Sequence, residues 1–267
     1  MTELLNQMII TGYEFIETAK KMMKSCRLKD NKHRSKSRLV ISFFINRAVE
    51  LSESFILLIK ENRLADSAIL LRTLWEMGIN TDYIFSDSQI KEINATKYLL
   101  NEYPSQIRLL VKNKEEFEAA GLNVKERIKE KQEKLKRAKA ALIKEYKVDS
   151  WDWPSIFARA KDSKQWVIKQ AYNQIYAHTS NIEHHDMSFG QNYVDEDKCE
   201  PSKEIRIGPL LRSEINLFMC RSILLVIMKM FNEEFSLKWE DVLKSLEEKH
   251  DNEYKEMRKN IKNGDGQ

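Results

Sequence analysis

Apolar residues recur at steps of three and four along most of this chain, and that recurrence predicts one helix after another. Residues 2–24 place Leu5, Met8, Ile9, Phe15, Ile16, Ala19 and Met22 at helical spacing. A basic loop, CRLKDNKHRSKSR, leads to a second helix over 37–61, rich in Leu, Ile and Phe. A third covers 64–86, with Asp66 or Ser67 placed to help cap its start. A fourth runs over 88–112, with a kink or break expected at Tyr103-Pro104, because proline lacks the N–H and crowds the preceding turn. Residues 122–147 carry ten Lys/Arg against four Glu. Within them Val124, Ile128, Leu135, Ala138, Leu142 and Tyr146 draw a narrow apolar stripe on a solvated helix.

The DSWDWP stretch, 149–154, reads as a turn with two Trp anchors, and Pro154 suits the start of the next helix. Residues 155–185 are expected to be helical in two pieces, with a break near Asp162-Ser163. Residues 187–209 hold Gly190, Pro201, Gly208 and Pro209 and form the longest irregular segment, with room for a short strand pair. A strongly apolar helix over 210–233 and an amphipathic one over 236–262 follow. The expected fold is therefore all-α: a helical bundle with long antiparallel helices, a charged protruding helix or hairpin, and one long irregular loop. In domain terms this gives a bundle over 1–233 with a charged arm at about 113–147, a C-terminal amphipathic helix over 234–262, and a disordered tail over 263–267.

Composition narrows the class. Only 7 Gly and 4 Pro occur in 267 residues, so long segments run without helix breakers. The net charge of +4 permits a nucleic-acid partner without requiring one. Three cysteines, Cys26, Cys199 and Cys220, lie far apart with no C-x-x-C pair, which disfavours a disulfide framework and a thiolate metal site. The first residues lack a signal-peptide pattern. Arg47 and Glu50 interrupt one apolar helix and Arg221 and Lys229 another, so no membrane span is expected and a cytoplasmic location is.

Two polar lines inside apolar helices carry the candidate chemistry. In the third helix, Arg72 and Glu76 share a face of an otherwise apolar surface. Charges in such a place need partners, so they form either an internal bridge or the lining of a polar pocket. Arg47, Glu50 and Ser54 on the preceding helix suggest a polar seam between the two. The second line lies in QAYNQIYAHTSNIEHHDMSFG, where Tyr172, Tyr176, Ser180 and His184 fall at four-residue steps. His178 and His185 share another face. Histidine changes charge near neutral pH, so this cluster suits acid–base work, structural roles at a helix end, or phosphate contact. It lacks an H-E-x-x-H spacing, and neither a metal nor another cofactor is called for.

Leu70-Leu71-Arg72…Glu76 with Tyr176…Ser180…His184 resembles a bacterial helical family of unknown function, DUF5677. The segment Tyr172-Asn173-Gln174-Ile175-Tyr176-Ala177-His178 also resembles the R-N-x-I-Y-A-H motif of the HEPN superfamily, with Tyr172 at the Arg position. That second resemblance implies a helical bundle, often dimeric, acting as a metal-independent ribonuclease in toxin–antitoxin or phage-defence systems. On it, Arg72, Glu76, His178 and His184 are the candidate catalytic residues. Arg72 supplies the positive charge that Tyr172 cannot. Tyr172, Asn173, Tyr176, Ser180 and His185 are candidate substrate contacts. RNA is the expected partner, with a second copy of the chain and a partner protein as further candidates. The rival expectation is a non-catalytic interaction or regulatory module whose Arg, Glu, Tyr and His groups form a buried polar network.

Overall fold

The structure is a computed structural model that describes residues 2–27, 35–147, 150, 152–165, 168–169, 172, 194–195, 200–201 and 212–264. Its helices are α1 (Glu3–Arg27), α2 (Lys36–Lys60), α3 (Leu64–Phe85), α4 (Lys91–Leu100), α5 (Glu102–Lys112), α6 (Lys114–Ala119), α7 (Val124–Tyr146), α8 (Ile156–Lys161), α9 (Ser213–Phe235) and α10 (Glu240–Gly264). Two strands of two residues, β1 (Val194–Asp195) and β2 (Glu200–Pro201), pair antiparallel inside the segment expected to be irregular. The fold is all-α in character. No helix among the described residues is long and apolar enough to cross a membrane.

The fourth expected helix is two. The break falls at Asn101, not at Pro104, which sits in the first turn of α5. The first turn has N–H groups without intrahelical partners, so proline loses nothing there and belongs after the break. The expected break near Asp162 is present, since α8 ends at Lys161.

The chain divides into two compact units: Met1–Arg34 with Ile41–Tyr83 and Ile156–Gln267, and Ser35–Val40 with Ile84–Ser155. In the first, α9 is the central element. Every residue from Asn216 to Met228 is buried, which explains why it is apolar almost all round. It packs on α1 and α10. Small residues allow other helices to come close: a Cβ added to Gly78 of α3 would lie 2.9 Å from Ile223 Cγ2 of α9, and one added to Gly12 of α1 would lie 2.8 Å from Ile56 Cδ1 of α2. Phe15, Phe44, Phe55 and Phe231 are wholly buried, each stabilising the fold by about 1.5–3 kcal/mol in transfer free energy.

In the second unit the charged helix α7 lays its apolar stripe on α4 and α5. Leu100, Leu135 and Leu142 form the core, flanked by Tyr103, Ala138 and Tyr146. Asn123 caps α7 by accepting the Glu126 N–H at 3.1 Å, while its own amide donates to the Glu126 carboxylate at 3.0 Å. Trp153 meets Tyr98 edge-on, with ring centroids 5.6 Å apart. Trp151 lies outside the described residues. The start of α2 is capped from α4: the Glu92 carboxylate accepts from the N–H groups of Lys36 and Ser37 at 3.0 and 3.2 Å and from the Ser37 hydroxyl at 2.5 Å. Burial pushes that carboxyl up, but the Ser37 and Lys36 donors outweigh it and hold it below the usual range.

Candidate functional site

Arg72 and Glu76 stand together on α3, Nε to Oε1 at 3.4 Å. Leu71, Leu74, Trp75, Met77 and Ile79 around them are buried, so burial claims most of this helix, as its composition predicts. The charged pair shares the remaining edge with Ile69 and Thr73, both exposed. The Arg72 side chain is 14% exposed and that of Glu76 38%. Solvent therefore reaches the pair through Glu76, and the bridge is not sealed in a core.

The line on α2 behaves differently. Arg47 and Glu50 pair at 2.9 Å with 49% and 64% of their side chains exposed, and Ser54 is exposed too. No polar seam joins them to Arg72 and Glu76. The buried side of α2 is filled by Phe44, Ile45, Ala48, Val49, Leu51, Phe55 and Ile56, and these turn Arg47, Glu50 and Ser54 outward.

Of the histidine segment, the structure describes Tyr172, whose ring meets Phe157 of α8 with centroids 5.8 Å apart. Asn173, Tyr176, His178, Ser180, His184 and His185 lie outside the described residues. Of the candidate site residues, then, the structure brings together Arg72 and Glu76. Leading toward Tyr172 is an anchor that sequence reasoning missed. Asp82 is 1% exposed and accepts from the Ser163 hydroxyl at 2.6 Å and the Lys164 N–H at 3.2 Å. This ties α3 to the turn that follows α8.

A second missed constellation is buried between α1, α9 and α10. Arg221 donates to Glu253, whose other carboxylate oxygen accepts from the Thr11 hydroxyl at 2.5 Å. Arg221 also donates to the Met8 carbonyl at 3.4 Å. The side chains of Arg221 and Glu253 are 1% and 8% exposed. Burial pushes the Arg221 guanidinium down from its ordinary value, and Glu253 opposes that. Removing one partner of such a pair strands the other charge, at about 3–5 kcal/mol. One turn away, Ser222 Oγ and His250 Nε2 are 2.9 Å apart, and Phe218 stacks on the imidazole at 4.2 Å.

Ser222 and His250 look like a nucleophile and its base, but their bonding says otherwise. The Ser222 hydroxyl has a second acceptor, the Phe218 carbonyl at 2.9 Å, which competes with the imidazole for its single proton. His250 Nδ1 has no hydrogen-bond partner among the described residues, and so no carboxylate to orient it. Burial first and Arg221 second push the imidazole down to about 3, too low for a base near neutral pH. Cys220 beside them is pushed up to about 12, mainly by burial, and is equally inert. These groups lie buried among α1, α9 and α10. A cue was present in the sequence: Leu243, Leu246, His250, Glu253 and Met257, all buried, repeat at three- and four-residue steps along α10.

A family model, described as a family of unknown function (DUF5677), matches residues 38–201, more than half of the chain. The chain belongs to this family. The matched DUF5677 region runs from the first turn of α2 through α8 and includes the Arg72–Glu76 pair and the histidine segment. No curated protein and no solved structure matches the chain.

Proposed function

We propose that this DUF5677 protein is a HEPN-like, metal-independent ribonuclease, with Arg72 and Glu76 lining the site and the histidine segment completing it. The observation that carries the reading is the partly open setting of the charged pair: on the one edge of α3 that is not buried, beside the exposed Ile69 and Thr73, an arginine and a glutamate stand where solvent reaches them. Arg72 stands in for the cation that the Tyr172-to-His178 segment lacks and holds a phosphate oxygen. His178 or His184 takes the proton of a ribose 2′-hydroxyl as it attacks that phosphorus. Tyr172, Asn173, Tyr176, Ser180 and His185 position the strand.

Purified protein is expected to cut RNA in the presence of a chelator. His178→Ala or His184→Ala should slow cleavage by about 10²-fold or more, the scale of a lost general base. Arg72→Ala should lose a comparable factor with little change in melting temperature. RNA that stays intact with folded wild-type protein would sink this reading. A second reading, a non-catalytic interaction module, draws support from the sealed Arg221–Glu253 and Ser222–His250 groups, which show this fold using buried charge for packing. On that reading Arg72→Ala lowers the melting temperature sharply and changes no activity.

A further inference from the structure

The second unit holds a cleft of about 710 Å³ beside α4, α5 and α7. Leu99, Leu100 and Ala138 give it an apolar floor, and the half-buried Tyr103 contributes an aromatic ring. Four cations line it: Lys36 from the first turn of α2, and Arg127, Lys131 and Lys134 from α7. The last three step by four and three residues, so they share one helix face, and they span about 10 Å of its length. Two carboxylates also line the cleft, one bonded to a neutral amide and one paired with a cation. Glu102 accepts from the Gln106 amide at 2.6 Å, and Glu130 accepts from Lys134 at 2.5 Å.

Four cations against two carboxylates leave positive charge in excess. Lys131 is held by the neutral Gln106 side-chain carbonyl. Among the described residues no carboxylate forms an ion pair with Lys36, Arg127 or Lys131. The surrounding field registers on Glu130, whose carboxyl is held below its usual range by the Lys134 hydrogen bond and charge first, then by Lys131 and Arg127. Cations on the walls, an apolar floor and an aromatic ring are the combination that grips a single nucleic-acid strand, with phosphates on the cations and a base on the ring.

We infer that this cleft binds single-stranded RNA, through phosphates on Lys36, Arg127 and Lys131 and a base against Tyr103. The choice of RNA over other phosphate-bearing strands rests on the function proposed above. The rival to be beaten is a plain solvated face, because α7 also carries Lys125, Lys129 and Lys136, exposed and outside the cleft.

The test is fluorescence anisotropy with a labelled 2′-O-methyl RNA strand of about 10 nucleotides, within the site sizes of such grooves. That strand has no 2′-hydroxyl to attack, so binding is read apart from cleavage. The full-length chain carrying Lys36→Gln, Arg127→Gln and Lys131→Gln should bind at least ~10-fold more weakly at low salt. Its log–log salt slope should flatten by about 2, the product of three lost contacts and ~0.7 per contact on single strands. A control with Lys125→Gln, Lys129→Gln and Lys136→Gln removes the same charge and should change affinity less than ~3-fold. Equal losses in both variants, or no binding by wild type at low salt, would overturn the site. Full displacement of the strand by a free nucleoside monophosphate would overturn the strand reading too. A Lys36→Glu, Arg127→Glu pair, at two exposed positions, repeats the measurement should circular dichroism show the triple variant to be unfolded. Binding without RNA cleavage would leave the cleft standing and remove the nuclease.

Discussion

His250 shows what burial does to one side chain. In the unfolded chain its imidazole takes a proton as pH drops below the ordinary value of 6.5, and in the fold it does not until about pH 3. The unfolded state therefore binds more protons across that window, and stability falls as pH falls, by up to about tenfold in the folding constant per pH unit. Glu92, held below its ordinary 4.5, acts in the same direction but only in more acid solution. Urea midpoints compared between wild type and His250→Phe should thus diverge between pH 6.5 and 4.5, with the wild type losing more stability on acidification. Parallel profiles would mean that the imidazole is not buried neutral. The sequence sets His250 among Leu243, Leu246 and Met257 at helical spacing, a cue to burial that sequence reasoning passed over. It did not reveal Arg221 as its electrostatic neighbour, because that proximity is tertiary. The charge in α9 was readable only as an interruption of an apolar helix.

At the scale of the element, periodicity did most of the work. With few glycines and prolines, α1, α2, α3, α7, α9 and α10 could be seen from apolar spacing alone. What periodicity could not supply was which side of α2 faces its neighbours, since Arg47, Glu50 and Ser54 form as good a line as Arg72 and Glu76. Close helix crossings were also hidden, because a glycine inside a helix leaves no apolar signal. Two of them make a matched experiment. Gly12→Ala meets the far end of a flexible side chain, Ile56 Cδ1, which can swing aside. The change should be neutral, or stabilising by up to ~1 kcal/mol, since alanine favours a helix. Gly78→Ala meets Ile223 Cγ2, a methyl on a stiff β-branched carbon of the central helix. It should cost about 1–3 kcal/mol despite the same gain in propensity. Chemical denaturation of both variants gives the comparison, and equal effects would mean that α3 and α9 cross less tightly than described.

At the scale of the whole molecule, one surface feature bears on assembly. Phe43, Glu50 and Leu57 lie seven residues apart on α2 and so share a face. Phe43 and Leu57 are each 55% exposed. Large apolar groups left outward at this spacing suit an isologous contact with a second copy, as the HEPN-like reading expects. Light scattering behind a sizing column should then report a dimer for wild type and a monomer for Phe43→Glu, at unchanged helicity. A monomeric wild type would remove the dimer from the reading.

The central place of α9 also has a consequence in time. Arg221 and its acceptor on α1, the Met8 carbonyl, are 213 residues apart in the chain. At about 5–20 residues per second of synthesis, α1 emerges some 10–40 s before the helix it packs on. Until then its stripe of Met8, Phe15, Ile16 and Met22 has no α9 to cover it. Completion of this unit is thus a late, long-range event with costly loop closure. The waiting α1 is a segment where a nascent chain of this protein is open to capture by a chaperone or to aggregation.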